Sequence, residues 1–197
     1  MFVKSLLKDL GLRIQLNHLQ DTKCSNPEPC HSNFVVLHTN GIHEASVDFC
    51  NCCPLSNHLQ LLRRGLYPAT QDQPRTCATF SLLRQLHMLG LTSKCSTYDF
   101  YRALEKLTNN TGFNIPKSKY RPLLRMALQW RHLKMLKRAG RGHDELGVKG
   151  TREGELALVC LSCPHPGVNI PDEWEKALNE ERYFNFCYDL NMFANLD

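Results

Sequence analysis

The chain has 197 residues, 42% of them hydrophobic, enough for one or two small packed domains. No run reaches the roughly 18 apolar residues of a spanning helix, and the first segment, MFVKSLLKDLGLRIQL, mixes charge with apolar residues where a signal peptide has an apolar core. This excludes a membrane class and predicts an intracellular protein, while the net charge of +5 conceals a segregation: ten Lys or Arg and no acid from Lys106 to His143, then eleven acids against four bases from Asp144 onward.

In chain order, Phe34 to Cys50 (FVVLHTNGIHEASVDFC) holds two β-rich runs separated near Asn40-Gly41, a hairpin signal. After Pro54 the chain reads as helical: a short LSNHLQLLRRG segment, then Thr76 to Leu89 with Phe80, Leu83 and Leu86 at helical spacing. Ser96 with Asp99 forms a capping box in which Asp replaces Glu, followed by a stripe of Phe100, Leu104 and Leu107 ending near Gly112. The next helix runs from Pro116 to Lys137, with Leu123, Leu124, Ala127, Leu128, Trp130 and Leu133 as its apolar face and Pro122 in its first turns. Five glycines between Gly140 and Gly154 mark a linker, after which Glu155 to Val159 reads as a short strand leading into Cys160-x-x-Cys163 and an acidic helical segment from Asp172. The organisation predicted is a cysteine-cluster hairpin region (1–53), a helical domain with a basic helix (54–139), a Gly-rich linker (140–154), and a CxxC knuckle with an acidic tail (155–197). The fold class predicted is α+β, mostly α, with the helices forming the one large core.

In a reducing compartment, spaced Cys and His residues are more often metal ligands or core thiols than disulfides. Of the ten cysteines, two groups suit zinc, which needs about four converging donors. The first combines His18 and Cys24 with Cys50 and Cys52; the two-residue step points both sulfurs to one side of a strand, and four ligands would close the site and make the metal structural. The same residues can also be read as unpaired core thiols and a surface histidine, and Cys30, His31 and Cys53 are alternative ligands. The second group, Cys160 and Cys163 with His165 nearby, needs Cys187, His143 or a residue outside the chain to complete it. Cys77 and Cys95 read as small hydrophobes.

Arg121, Arg125, Arg131, Lys134, Lys137 and Arg138 surround the last helix, with Lys117 and Lys119 before it and Arg141 after it. Interleaved with Tyr120 and Trp130, they suit contact with DNA phosphates, although an ordinary solvated helix face carries charge in the same way. The glycines match neither a P-loop nor a dinucleotide fingerprint, and no nucleophile–base pair or carboxylate cluster is legible, so no catalytic residue is assigned.

The strings DLGLRIQLNH, FVVLHTNGIHEASVDFCNC, LQLLRRGLYPAT, LTSKCSTYDFYRALEKLTNNTG, QWRHLKMLKRAGRGHD and CLSCPHPGVNIPDEWE occur in that order. From about Lys8 to Glu175 the chain resembles the cysteine-cluster domain that precedes the catalytic region of KDZ (Kyakuja-Dileera-Zisupton) transposases, which are abundant in fungal genomes. The resemblance implies a non-catalytic zinc module, with DNA as partner and the nucleus as setting. It carries the family's cysteine pattern onto His18, Cys24, Cys50 and Cys52, and a second motif onto Cys160 and Cys163. Family members carry further Cys and His pairs upstream and an RNase H-like domain downstream. Here Asn185 to Asp197 resembles the first strand of that domain only loosely, with Asp189 near an acidic position, and one carboxylate cannot hold two catalytic metals. Two other readings stand beside this one: a structural module packing on the catalytic transposase domain or a second subunit, and a degenerate transposon remnant.

Overall fold

The computed structural model describes residues 8–157 other than 19–21, 53 and 112–116, together with Glu173 and Lys176. The chain divides into two units, one up to Arg138 and one from Ala139. The first contains β1 (Arg13–Gln15), β2 (Pro27–Pro29), β3 (Val35–His38), β4 (Gly41–Glu44), β5 (Ser46–Cys50), α1 (Asn57–Arg63), β6 (Leu66–Pro68), β7 (Thr76–Thr79), α2 (Phe80–Thr92), α3 (Thr97–Thr108) and α4 (Tyr120–Arg138).

The strands form two mixed sheets, one ordered β1-β5-β2 and the other β4-β3-β7-β6. This overturns the expectation of a mostly α fold with a lone hairpin: among the described residues, seven strands stand beside four α-helices. Strands of three to five residues are too short to display alternation, and Thr76–Thr79, which looks like the entry to a helix, is a central strand buried between β3 and β6. The α2 helix starts only at Phe80, where Thr79 caps it by accepting the Leu82 N–H at 3.3 Å.

The hairpin is present as β3 and β4, with His38 opposite Gly41. Gly41 has a φ of +143°, and a Cβ there would lie 2.9 Å from Thr108 Oγ1, so glycine lets the end of α3 approach the turn. Beyond the hairpin the extended chain changes sheets. Ala45 still donates to the carbonyl of Phe34, the residue before β3 (3.0 Å), but from Ser46 the strand pairs with β1 in parallel and with β2 antiparallel.

The alternation of β3 gives the unit two apolar clusters. Val35 and Leu37 face a large cluster with Leu82, Leu83 and Leu86 of α2, Phe100, Tyr101 and Leu104 of α3, and Leu123, Met126 and Ala127 of α4. Phe34 and Val36 face a smaller cluster with Leu16, Val47, Phe49, Leu61 and Cys77. Cys77 thus behaves as the small hydrophobe expected, and burial raises its thiol pKa.

The Ser96 cap is confirmed: its hydroxyl accepts the Asp99 N–H at 3.1 Å and donates to the Asp99 carboxylate at 2.5 Å. Phe100 and Leu104 are buried, whereas Leu107 faces out. In α4 the buried residues are Leu123, Met126, Ala127 and Leu136; Leu128 and Leu133, placed in the core by the sequence reading, are 56% and 47% exposed. The wider apolar stripe overcounted because α4 packs along one narrow face.

In the second unit, Arg141 pairs with Asp144 (2.6 Å) and Glu155, and a 3-10 turn spans Gly147–Gly150. Glu155 to Ala157 lie in turns rather than the expected strand, and Cys160, Cys163, His165 and Cys187 lie outside the described residues. Among the described residues no helix is long and apolar enough to cross a membrane.

The two faces of α4 are separable by truncation. Leu123→Ala is expected to lower stability by about 2–5 kcal/mol, and Leu128→Ala by less than about 0.5 kcal/mol, in denaturant titrations; equal losses would show that the helix buries the wider face.

Candidate metal centre

The topology of the small sheet brings the predicted ligands together. β1 and β5 run parallel while β2 runs against them, so the exits of β1 and β5 and the entry to β2 lie at the same end. His18 follows β1, Cys24 precedes β2, and Cys50 and Cys52 end and follow β5. The four donor atoms all lie within 4.8 Å of one another. His18 Nε2 is 3.1 Å from Cys50 Sγ, and Cys24 Sγ is 3.2 Å from Cys52 Sγ. A tetrahedral metal with bonds of about 2.3 Å to sulfur spaces its ligands by roughly 3.8 Å, so the group could hold one metal ion after small adjustments.

Each ligand is held by its own local structure. Leu16 is buried and donates its N–H to the Asp48 carbonyl (2.9 Å), and Asn17, with φ +61°, then turns the chain toward the site, a conformation Asn tolerates better than most residues. Arg64 donates to the His18 carbonyl at 2.5 Å, and Arg13 pairs with Asp48 to bind β1 to β5 (Nε to Oδ2, 2.8 Å). Ser25 Oγ lies 3.1 Å from Cys52 Sγ, and the Cys52 N–H points at Cys50 Sγ (3.4 Å).

Cys50 has a further support that the sequence reading missed. Hydrogen bonds from Cys30 to Val47 (2.8 Å) and from Asn51 to Asn26 (3.1 Å) fix the β2–β5 ladder, and by its alternation the N–H and C=O of Cys50 point away from β2, toward the side where β1 has already ended. The fully buried side chain of Gln60 takes the place of a strand there: its Oε1 accepts the Cys50 N–H (2.8 Å) and its Nε2 donates to the carbonyls of Cys50 (2.8 Å) and Leu55 (2.9 Å). One polar residue within the apolar run of α1 was the only available signal.

Electrostatics divides the two outer thiols. Desolvation and a hydrogen bond with Cys52 push Cys24 up to about 11, while hydrogen bonds from Ser25 and Cys24 draw Cys52 down to about 6.

The alternative ligands are placed elsewhere. Cys30 points its thiol at the Pro74 carbonyl (3.4 Å), and His31 Nδ1 accepts the Asn33 N–H (3.1 Å); Cys53 lies outside the described residues. Among the predicted basic residues, Lys117, Arg121, Arg125, Arg131, Lys134, Lys137 and Arg138 are exposed and Lys119 is partly so. Arg141 lies in the second unit, engaged by Asp144 and Glu155. Arg121 and Arg125 share one face of α4, whereas Arg131, Lys134 and Arg138 form a second stripe rotated by roughly 120°. The interleaved aromatics face inward: Trp130 packs on Tyr67 and Phe80 (centroids 6.2 and 5.4 Å apart), and Tyr120 on Tyr98 and Tyr101 (5.6 and 6.0 Å).

Three cysteines and a histidine gathered at one end of a small sheet define a cysteine-cluster module. The family model described as "CxC2 like cysteine cluster associated with KDZ transposases" matches residues 7–112, more than half of the chain, and the chain belongs to that family. It is an accessory domain, and all four donors fall within the matched residues. No curated protein and no solved structure matches the chain.

Replacing Gln60 tests its support of Cys50. Gln60→Met leaves a buried N–H and C=O without partners, with an expected cost of about 1–3 kcal/mol and a loss of metal affinity of about 10–100-fold in competition with a chelator. Unchanged affinity in a folded variant would show that Cys50 is held without Gln60.

Proposed function

We propose that this chain is a non-catalytic, zinc-stabilised module of a KDZ-type DNA transposase that contacts DNA with little sequence preference in the nucleus. The observation that carries the reading is the convergence of His18, Cys24, Cys50 and Cys52 at one end of the small sheet. Three thiolates and an imidazole are a donor set that favours zinc among common metals, and four protein ligands leave no position for a reacting water. The metal would therefore act structurally, pinning three short strand ends, two of which, those of β1 and β2, belong to strands that are largely exposed. Phosphoryl transfer would fall to carboxylates of the associated transposase domain. Cys160 and Cys163 belong to the same proposal as a second zinc-ligating pair, supported by their C-x-x-C spacing.

Support for DNA contact comes from the uninterrupted run of bases between Lys106 and His143, most of which is solvent-facing. A second reading, a module that packs on the catalytic domain or on a second subunit, draws on the exposure of Leu128 and Leu133 among those bases.

Elemental analysis of the purified chain tests the metal. Wild type is expected to carry zinc, and Cys50→Ser/Cys52→Ser to lose one equivalent together with the folding of the first unit; a well-folded wild type without zinc would overturn the reading. Binding of unrelated DNA duplexes over a salt series tests the partner. The logarithm of affinity should fall with the logarithm of salt at about 0.9 per neutralised phosphate, and salt-insensitive binding, or none at low salt, would favour the second reading.

A further inference from the structure

A concave surface of the first unit collects cations from two segments far apart in sequence. It is a cleft of about 540 Å³ between the loop joining β6 to β7 and the start of α4. Arg75 lines one side, Lys119, Arg121 and Arg125 line the other, and Asp72 is the one acid among the lining residues. Among the described residues no ion pair engages any of these four cations.

The backbone under these side chains is fixed. The Arg75 carbonyl accepts the Val35 N–H at 3.1 Å, which anchors it to the sheet. The Lys119 N–H donates to the Tyr101 hydroxyl at 2.7 Å, which anchors the start of α4 to α3. Arg121 and Arg125 stand one turn apart on the same helix face. The first turn of α4 holds no acid, so neither the positive end of the helix dipole nor the four side chains are neutralised from within that turn. Like charges held together on a rigid framework repel one another, and an anion seated among them relieves that repulsion. Arginines match the planar edges of a phosphoryl group in bidentate fashion, which favours phosphate over a simple halide.

We propose that this cleft is a phosphate-binding site, the place where the module grips one phosphate of a nucleic-acid backbone. The assignment rests on the DNA reading for the source of the phosphate, but the chemistry of the cleft stands without it. It adds Arg75, which lies outside the basic run, and separates Arg121 and Arg125 from the second stripe of α4. It also makes the site depend on both the family-matched segment and the helix that follows it, since the match ends at residue 112.

The test compares two exposed variants of the full chain, with melting curves to confirm that both remain folded: Arg75→Ala/Arg121→Ala in the cleft and Arg131→Ala/Lys134→Ala/Arg138→Ala on the second stripe. Duplex DNA affinity over a salt series and inorganic phosphate binding, followed by amide chemical shifts, are measured for each. The cleft variant should lose about tenfold or more in DNA affinity and about 1 from the salt slope, with the second variant changed less than about threefold and Arg75→Lys/Arg121→Lys restoring part of the loss. If wild type binds inorganic phosphate at these residues but no DNA, the cleft is supported and the DNA reading falls. If DNA binds and the two variants lose affinity equally, the DNA reading stands and the cleft proposal is overturned. If neither phosphate nor DNA binds, both fall.

Discussion

The candidate site hangs from β5. It is the central strand of a sheet whose two other members have three residues each, and β1 and β2 have no other strand partner in that sheet. Its last residue, Cys50, is both a donor of the metal group and the point at which the ladder ends. Gln60 resolves the difficulty that such an ending creates. A buried strand terminus leaves a backbone N–H and C=O to be satisfied, and one amide side chain satisfies both while holding the Cys50 backbone in place. The sulfur is thus presented from a fixed main chain, as a closed metal site requires.

The position of β5 depends in turn on the sheet change at Ala45. The chain leaves the hairpin without a turn, and the same extended run serves the larger sheet through β4 and the smaller one through β5. The β3 strand links the two apolar clusters by alternation, with Val35 and Leu37 toward the helices and Val36, with Phe34 just before the strand, toward the small sheet. A ligand end with little core of its own is therefore seated on a larger folded body. The helical part supplies that body and also carries the charge.

The cations and the candidate metal donors lie in different parts of the unit. The donors cluster at the end of the small sheet, whereas the cations surround α4 and reach Arg75 at the start of β7. The cations of α4 do not act as one face, because a helix turns by about 100° per residue and the run is irregular. Two patches result, and the first opens onto a cleft.

The sequence by itself determined the hairpin at Asn40-Gly41, the Ser96 cap and the bias of charge, because each depends on residue type at short spacing; six strings in fixed order carried the family, and His18, Cys24, Cys50 and Cys52 stood as candidate donors beside Cys30, His31 and Cys53. It did not show the short strands, since three or four residues carry no period and β7 is buried on both faces. The boundary between core and surface on α4 was legible only in part: the spacing marked an apolar stripe, but the contacts with α2 and α3 decided how wide it is. Only the tertiary structure decided that strand direction would bring residues 32 positions apart, His18 and Cys50, to within 3.1 Å. The same holds for the support of Cys50 by Gln60 and for Arg75 facing Arg121 across a cleft, because pairings between distant segments are set by packing and by unsatisfied backbone groups, which leave no local pattern in the chain.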